Sequence, residues 1–391
     1  MKSGAEFSLL LHSSSRPASI ALLVSLIIAF LPPVFLPHVS ALPTGYRDRE
    51  TLLGDFFNLM NQYPTLMTYE SIGKSYQGRD IPMFKIGNPN GGKVLFTTVT
   101  HGDEVEGAEV GYYMADWILE RKEPAIADRI LQDNLIMIVI VNIDSYGIKR
   151  KNMDQYGFVH GAYANSYGVD LNRNMPVGWG GSSSSSNVTD MSYKGPSPGS
   201  EPESQALINL FETYKPKFHL NYHYGGGIVF GYPSGYAKMT ANMSHYHIAI
   251  AKEIQTLAAS RGAYVYGYGQ LGISGCITDQ AYVTGNSTSY LLEAGNWPAP
   301  PYNQIESVLL RPLLPFLIVF AQESEVARTH APWDLSQDGK VDGKDIAIVA
   351  LAFGSVLGSS NWNPLADLNA DGKIDGQDIT AVAIYYGEQY A

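Results

Sequence analysis

The sequence predicts an α/β domain with a mixed, mostly parallel twisted sheet and helices on both faces, followed by a small helical domain. Residues 135–141 read Leu-Ile-Met-Ile-Val-Ile-Val, an apolar, β-branched run typical of a strand buried on both faces. Shorter apolar runs alternate with helical patterns between about residues 46 and 325. After about Arg328 the composition changes, and two similar Asp-rich segments follow, which indicates an internal duplication.

Apolar residues at helical spacing and short apolar runs locate the elements of the larger domain along the chain. A Gly/Ser-rich stretch at 178–193, with five consecutive serines, is predicted to be a flexible surface loop. The predicted elements are helices over 48–63, 105–121, 203–214, 246–261 and 304–320, and strands over 94–99, 135–141, 218–222 and 289–292.

The overall composition is that of a globular protein with a substantial core. The chain has 391 residues, of which 45% are hydrophobic and 16% charged. Its formal net charge of -11 argues against nucleic acid as a partner, because an acidic surface releases no counterions from phosphates. The one cysteine, Cys276, has no partner for an internal disulfide and is predicted to be a small buried core residue.

The N-terminus has the order of features found in signal peptides. Two basic residues precede an apolar run at 20–31, and small residues end at Ala41. The run is short for a membrane span, which needs about 20 residues, so we expect secretion, with an uncleaved membrane anchor as the alternative. A second apolar stretch, 308–320, contains Arg311 and two prolines, and is predicted to lie in the core.

A metal site is predicted where His101-Gly-Asp-Glu104 follows the strand at 94–99. A catalytic zinc takes three protein ligands and keeps one position open. His223 ends another predicted strand and is followed by a glycine run, and ligand sites lie at the carboxyl ends of strands in α/β sheets. His219 is an alternative third ligand, because both histidines point to the same strand face and spacing does not distinguish them.

Glu293 ends the apolar strand Ser289 to Leu292 and is predicted to be the general base. Zinc lowers the pKa of a bound water towards about 7, and the water then needs a proton acceptor that is not itself a tight ligand. A carboxylate that emerges from an apolar strand into a cleft is expected to have a raised pKa, which suits this role.

Residues 46–325 resemble the zinc carboxypeptidases of the carboxypeptidase A type, since several motifs occur in the order of that family. The resemblance implies a carboxypeptidase-like fold and zinc-dependent hydrolysis of C-terminal residues from peptides. It also implies that His101, Glu104 and His223 bind zinc and that Glu293 is the general base. The matching segments are His101-Gly-Asp-Glu104, Val141 to Gly147, Arg150-Lys-Asn, Gly168-Val-Asp-Leu-Asn-Arg-Asn174 and Gly195 to Glu203.

The same resemblance implies a substrate site for a free C-terminal carboxylate. Asn172 and Arg173 take the carboxylate-binding roles, and an arginine fork suits this because it binds a carboxylate bidentately. A neutral Thr278 in the side-chain pocket favours apolar or small terminal residues over basic ones. The remaining residues assigned to substrate binding are Arg150, Tyr224 and Asp279.

Two departures from the family pattern motivate alternatives. The family reads Arg-Lys-Asn-Arg where this chain has Met153 in the last position, and Leu271 stands where the family has a mobile tyrosine. The resemblance implies that the missing arginine would stabilise the oxyanion, and loss of one such donor typically costs about 10²–10³ in rate. The alternatives are a catalytically weak zinc- or peptide-binding module, and a zinc amidohydrolase acting on cell-wall peptides or acylated amino acids.

The C-terminal duplication reads Asp-x-Ser/Asn-x-Asp-Gly-x-Val/Ile-Asp-x-x-Asp twice, each time before an apolar run. Oxygen ligands at positions 1, 3, 5 and 12, with Gly at 6, fit a calcium loop. Residues 333–387 resemble type I dockerin domains, which implies two bound Ca²⁺ ions and a cohesin-like partner. The predicted calcium ligands are Asp334, Ser336, Asp338 and Asp345 in the first loop, and Asp367, Asn369, Asp371 and Asp378 in the second.

These observations divide the chain into three predicted parts. They are a signal peptide at 1–41, a zinc carboxypeptidase catalytic domain at 42–328 and a dockerin-like calcium-binding domain at 329–391. We expect a monomeric, extracellular protein with a catalytic Zn²⁺.

Overall fold

The computed structural model describes residues 45–147 and 168–389, apart from short internal gaps. These gaps are at 226, 240, 264–266, 296–297, 326–332, 337, 357–358, 360, 362, 364–365 and 369–372. The predicted signal peptide and part of the 141–153 motif region therefore lie outside the described residues.

An eight-stranded mixed sheet forms the centre of the larger domain, with the strand order β1-β2-β4-β3-β5-β8-β6-β7. Strand β3 pairs in parallel with both β4 and β5, and β5 pairs in parallel with β8. The outer pairs β1–β2, β2–β4 and β6–β8 are antiparallel, while β6–β7 is parallel. The strands are β1 Met67–Lys74, β2 Asp80–Gly87, β3 Gly92–Thr98, β4 Asn134–Ile140, β5 Phe218–His223, β6 Gly227–Tyr232, β7 Gly267–Gln270 and β8 Thr288–Gly295.

Helices cover both faces of this sheet. Along β4, Ile136 and Ile138 belong to one core cluster, while Met137 and Val139 belong to another, as the alternation of side chains in a strand requires. The helices are α1 Arg49–Gln62, α2 Glu106–Leu119, α3 Pro124–Asp133, α4 Leu171–Asn174, α5 Pro202–Tyr214, α6 Ala241–Ser260, α7 Ile277–Gly285 and α8 Arg311–Glu325.

The predicted fold class and the predicted elements are confirmed, with bounds that shift by a few residues. The last helix begins as a π-helical turn at Glu306–Leu310 before α8. Residues Glu306–Ser324 are long and apolar enough to cross a membrane by length and composition, but 78% of this segment is buried inside the fold. Cys276 is buried, as expected.

Some elements are absent from the sequence-based prediction. Strands β6 and β7 are short and glycine-containing, and the β1–β2 hairpin is partly exposed, so neither region has a long apolar run. Helices α3 and α7 are also absent from the prediction, and each is about ten residues or shorter. Their positions depend on packing against the sheet.

The C-terminal domain contains two helices, α9 Gly343–Ala352 and α10 Gly376–Ile384. Each begins with a capping box, Asp342 with Asp345 and Asp375 with Asp378. The indole of Trp333 stacks on the ring of Tyr385, with the ring centroids 4.2 Å apart. This stack brings the two ends of the domain together.

Candidate metal centre and substrate site

His101, Glu104 and His223 form a buried cluster in which one possible metal-ligand atom from each residue lies within 4.8 Å of the others. Glu104 Oε1 is 2.8 Å from His101 Nδ1, and Glu104 Oε2 is 2.9 Å from His223 Nδ1. Within the described residues, neither ring nitrogen of His223 makes a well-formed hydrogen bond. Two imidazoles and a carboxylate that converge in this way are a donor set that zinc prefers, so the residues fit the predicted ion.

The strand ends determine this arrangement. His101 and Glu104 lie between the end of β3 and the start of α2, while His223 is the last residue of β5, and β3 and β5 are neighbouring parallel strands. Their carboxyl ends therefore meet at one edge of the sheet.

The charges of the cluster favour a bound cation. Burial disfavours a charged imidazole, but the carboxylates of Glu104 and Asp170 raise the pKa of His101 to about 10. Burial also opposes ionisation of Glu104, yet His101 and His223 lower the pKa of that carboxyl to about 2. Glu104 is thus held as a carboxylate between two imidazoles, as a metal ligand must be.

Asp170 is a site residue that the sequence analysis placed only within the segment Gly168 to Asn174. Its Oδ1 lies 3.3 Å from His101 Nε2, and the same oxygen accepts a 2.8 Å hydrogen bond from the backbone N–H of Asn172. When a metal-binding histidine donates a hydrogen bond to a carboxylate from the ring nitrogen that does not bind the metal, this bond fixes the tautomer and the orientation of the ring. The signal available in the sequence was an acid two residues before the Asn172-Arg173 pair.

The structure places His223, and not His219, in the cluster with His101 and Glu104. His219 Nε2 lies 2.9 Å from Thr97 Oγ1, and His219 Nδ1 lies 2.8 Å from Ser289 Oγ. Burial lowers the pKa of His219 to about 3, so this imidazole is neutral at ordinary pH. His219 is therefore a hydrogen-bonded core residue.

Glu293 lies next to His223 in the sheet. It is paired with His223 across the parallel β5–β8 ladder, and paired residues present their side chains to the same face of a sheet. Glu293 is half-buried, whereas His223 is fully buried. A partly accessible carboxylate is thus placed beside the innermost donor of the cluster.

Arg173 and Asn172 lie on α4, directly after Asp170. The guanidinium of Arg173 donates from Nε to the carbonyl of Ser183 and from Nη1 to the carbonyl of Asn172, both at 2.9 Å. Neither of these two bonds uses Nη2, so within the described residues they orient the guanidinium and leave this nitrogen able to bind a carboxylate. Asn172 Oδ1 accepts a hydrogen bond from the backbone N–H of Ile277 at 3.0 Å, which leaves its NH₂ group as the donor.

The serine-rich stretch at 178–193 is a loop, as predicted, and it contributes to the site in a way that sequence reasoning missed. The Ser183 hydroxyl accepts a hydrogen bond from the Ser274 backbone N–H at 2.7 Å, and the two hydroxyl oxygens are 2.9 Å apart. Because the Ser183 carbonyl also accepts from Arg173, the loop connects the arginine to the residues before α7.

The other predicted substrate residues differ in their surroundings. Thr278 is fully buried, and its hydroxyl makes no hydrogen bond within the described residues. Asp279 accepts hydrogen bonds from the backbone N–H and the hydroxyl of Ser234, and burial raises the pKa of its carboxyl. The ring of Tyr224 lies in the main core, where burial raises the pKa of its hydroxyl to about 12. The substrate roles of these residues stay predictions.

Arg150 and Met153 lie outside the described residues, so the substitution of the family's second arginine stays a sequence observation. Leu271 donates its backbone N–H to the carbonyl of Tyr232 at 3.0 Å, directly after β7. Its apolar side chain offers no hydroxyl for a substrate.

Glu106 is a second buried acid near the metal donors that sequence reasoning missed. Both of its carboxyl oxygens are buried without a hydrogen-bond partner within the described residues. Burial, with the nearby Glu104, raises the pKa of Glu106 to about 8. Glu106 is therefore neutral near pH 7 and adds little negative charge to the cluster.

The two predicted calcium loops present carboxylates of the expected kind. Asp334 and Asp345, at positions 1 and 12 of the first loop, are both buried, as are Asp367 and Asp378 in the second loop. Asp345 accepts from the backbone N–H groups of Ser336 and Asp342, both at 2.7 Å, which directs its carboxylate into the loop. An all-oxygen set of this type fits Ca²⁺. Asn369 and Asp371 lie outside the described residues.

Comparison with known proteins agrees with both resemblances. The family model for zinc carboxypeptidases matches residues 55–310, and the family model for the dockerin type I domain matches residues 332–385. The first match includes the cluster of His101, Glu104 and His223 as well as Glu293. The second includes the eight predicted calcium ligands.

Individual relatives are distant. Carboxypeptidase D of Drosophila melanogaster is 31% identical over 183 residues, which cover 45% of this chain and 12% of that protein. Carboxypeptidase A6 of Mus musculus is 26% identical over 263 residues, or 63% of this chain and 60% of that protein. The chain thus spans less than two thirds of the length of these curated relatives.

A solved structure shares the fold. Bovine thrombin-activatable fibrinolysis inhibitor, in complex with tick carboxypeptidase inhibitor, superposes with a TM-score of 0.59 at 19% sequence identity. The match covers 71% of this chain and 97% of that one.

Proposed function

Because this chain belongs to the zinc carboxypeptidase family, we propose that it hydrolyses single C-terminal residues from peptides with a zinc ion bound by His101, Glu104 and His223. The observation that carries the proposal is the convergence of these three buried donors beside Glu293, with Arg173 oriented nearby. Zinc at this point would polarise the scissile carbonyl and make a water molecule nucleophilic.

Other residues of this chain carry out the remaining steps of the reaction. Glu293 accepts the proton of the attacking water as the new C–O bond forms, and then donates it to the amine nitrogen as the C–N bond breaks. Arg173 and Asn172 bind the terminal carboxylate and so restrict cleavage to the last peptide bond. Asp170 accepts a hydrogen bond from His101 and keeps that ring oriented towards the metal.

We also propose that the protein is secreted after removal of residues 1–41, with a catalytic domain at 42–328 and a calcium-binding domain at 329–391. The order of basic, apolar and small residues at the N-terminus supports export. The matched dockerin type I segment supports an extracellular role, with calcium in both loops.

The partner of the C-terminal domain is proposed to be cohesin-like. Leu351 and Ile384 occupy equivalent positions in the two repeats, and they are 81% and 70% exposed. Phe353 and Tyr386 are a second equivalent pair, and both are exposed. Large apolar side chains displayed in duplicate on a small domain indicate a protein-binding surface.

The deciding experiment compares free-acid peptides with the same peptides amidated at the C-terminus, with and without a zinc chelator. We expect release of single C-terminal residues from the free acids, abolition by the chelator, restoration by zinc, and little cleavage of the amides. Equal cleavage of amidated peptides would instead support the zinc amidohydrolase alternative. Stoichiometric zinc without any turnover would support the binding module.

A further inference from the structure

The larger domain and the C-terminal domain are joined by a buried ion pair that involves a predicted calcium ligand. Lys252, on α6, places its Nζ 2.6 Å from Oδ2 of Asp367, which is position 1 of the second calcium loop. Lys252 is 7% exposed and Asp367 is 2% exposed. Lysine is almost never buried to this extent without a partner.

The equivalent position in the first loop makes contacts within its own loop. Asp334 is the equivalent of Asp367 in the first loop, and its carboxylate accepts hydrogen bonds from the backbone N–H groups of Asp338 and Gly339 in the same loop. Asp367 accepts a hydrogen bond from a side chain of another domain. The second loop is therefore in direct contact with the larger domain through its first ligand.

The charge of Asp367 also acts on a second element of the larger domain. Tyr268, on the edge strand β7, has a raised hydroxyl pKa, mainly because it is buried and also because Asp367 is close. Asp367 therefore interacts electrostatically with residues on both α6 and β7. The acidic partner of Lys252 is thus also a predicted metal ligand.

We propose that Lys252 and Ca²⁺ compete for the carboxylate of Asp367, so that calcium in the second loop weakens the docking of the C-terminal domain on α6. Two cations on one buried carboxylate repel each other strongly, because the surroundings screen charge poorly. Thermodynamic linkage then makes the effect reciprocal: docking through Lys252 lowers calcium affinity, and calcium releases the docked domain. This inference depends on the proposed binding of calcium in the second loop.

The first test measures both calcium dissociation constants of the chain by competition with a chromophoric chelator. Replacing Lys252 with methionine keeps the length of the side chain and removes its charge. We expect Lys252→Met to lower one of the two calcium dissociation constants about tenfold, a typical size for such coupling. Lys252→Arg keeps the charge and should leave that dissociation constant close to its value in the unmodified chain.

Lys344→Met is the matched control. Lys344 pairs with Asp338 within the first loop and is exposed, so its loss should affect only the other calcium constant, by a small factor.

The radius of gyration, from small-angle X-ray scattering, reports on docking. In the unmodified chain and in Lys344→Met, calcium should increase it, whereas Lys252→Met should already be expanded without calcium.

Two results would overturn the inference. If the chain binds two calcium ions but Lys252→Met leaves both constants and the radius of gyration unchanged, the coupling is wrong while the calcium assignment stands. If neither loop binds calcium, the calcium assignment and the coupling both fail. Equal zinc content and melting temperature in the variants would establish that they are folded.

Discussion

The proposed zinc cluster and the proposed calcium loops would each hold a divalent cation, but they are assembled in opposite ways. The zinc donors come from two strand ends, with His223 more than a hundred residues after His101. Each calcium loop takes its predicted ligands from twelve consecutive residues, and its last ligand also caps the helix that follows. The zinc site therefore depends on the folded sheet, whereas each calcium loop depends mainly on its own segment. Substitutions in the two kinds of site should therefore have different effects.

The largest effect is expected at His223, with His219 on the same strand as its matched control. His223→Ala removes a donor from the convergent cluster, so bound zinc and peptide hydrolysis should both be lost. His219→Gln keeps a polar side chain between Thr97 and Ser289, and should retain zinc. Metal analysis and kcat/KM check both variants. Loss of zinc in His219→Gln with retention in His223→Ala would reverse the assignment.

Glu293→Gln should separate catalysis from metal binding. Without a proton acceptor, kcat should fall by about 10²–10⁴ while the zinc content stays at one per chain. The measurement is kcat on a free-acid peptide, paired with metal analysis of the same sample. A kcat within a few-fold of the original would exclude Glu293 as the general base.

Arg173→Lys tests the carboxylate anchor. A lysine retains the charge but not the bidentate fork, so kcat/KM on free-acid peptides should fall by about tenfold to a hundredfold. The weak cleavage of amidated peptides should change little. If both kinds of peptide are affected equally, Arg173 supports the fold and does not bind the substrate terminus.

Asp170→Asn should weaken zinc binding without removing a ligand. An amide in place of the carboxylate holds the His101 ring less strongly, so zinc affinity should fall by about 10–100-fold. Zinc competition with a chelator of known affinity gives the number, and excess zinc should restore much of the activity. Unchanged affinity would mean that the 3.3 Å contact does not orient the ring.

The smallest effect on catalysis is expected from the C-terminal domain. Asp345→Ala removes a predicted calcium ligand together with its hydrogen bonds to Ser336 and Asp342. We expect loss of one bound calcium and a lower melting temperature for the C-terminal domain, with kcat/KM unchanged. A fall in zinc content or peptide hydrolysis would show that the two sites are not independent.

Both sets of candidate metal ligands could be predicted from the sequence because each has characteristic residue types at a fixed local spacing. His101 and Glu104 are three residues apart after an apolar strand, and the Asp-Gly turns recur at equivalent positions in the duplication. Long apolar runs such as 135–141 also located the central strands. Short, partly exposed elements such as β7 escaped prediction, since their local sequence contains little apolar surface.

The tertiary structure decided what spacing leaves open. His219 and His223 are histidines on the same strand, and only the position of each relative to Thr97 or Glu104 distinguishes a core histidine from a proposed zinc ligand. Asp170, Ser183 and Lys252 acquire their roles from contacts with residues distant in the sequence. The sequence determines which groups are available and where strands end. Which of those groups meet depends on strand order and domain docking, because long-range packing brings together side chains that no local pattern relates.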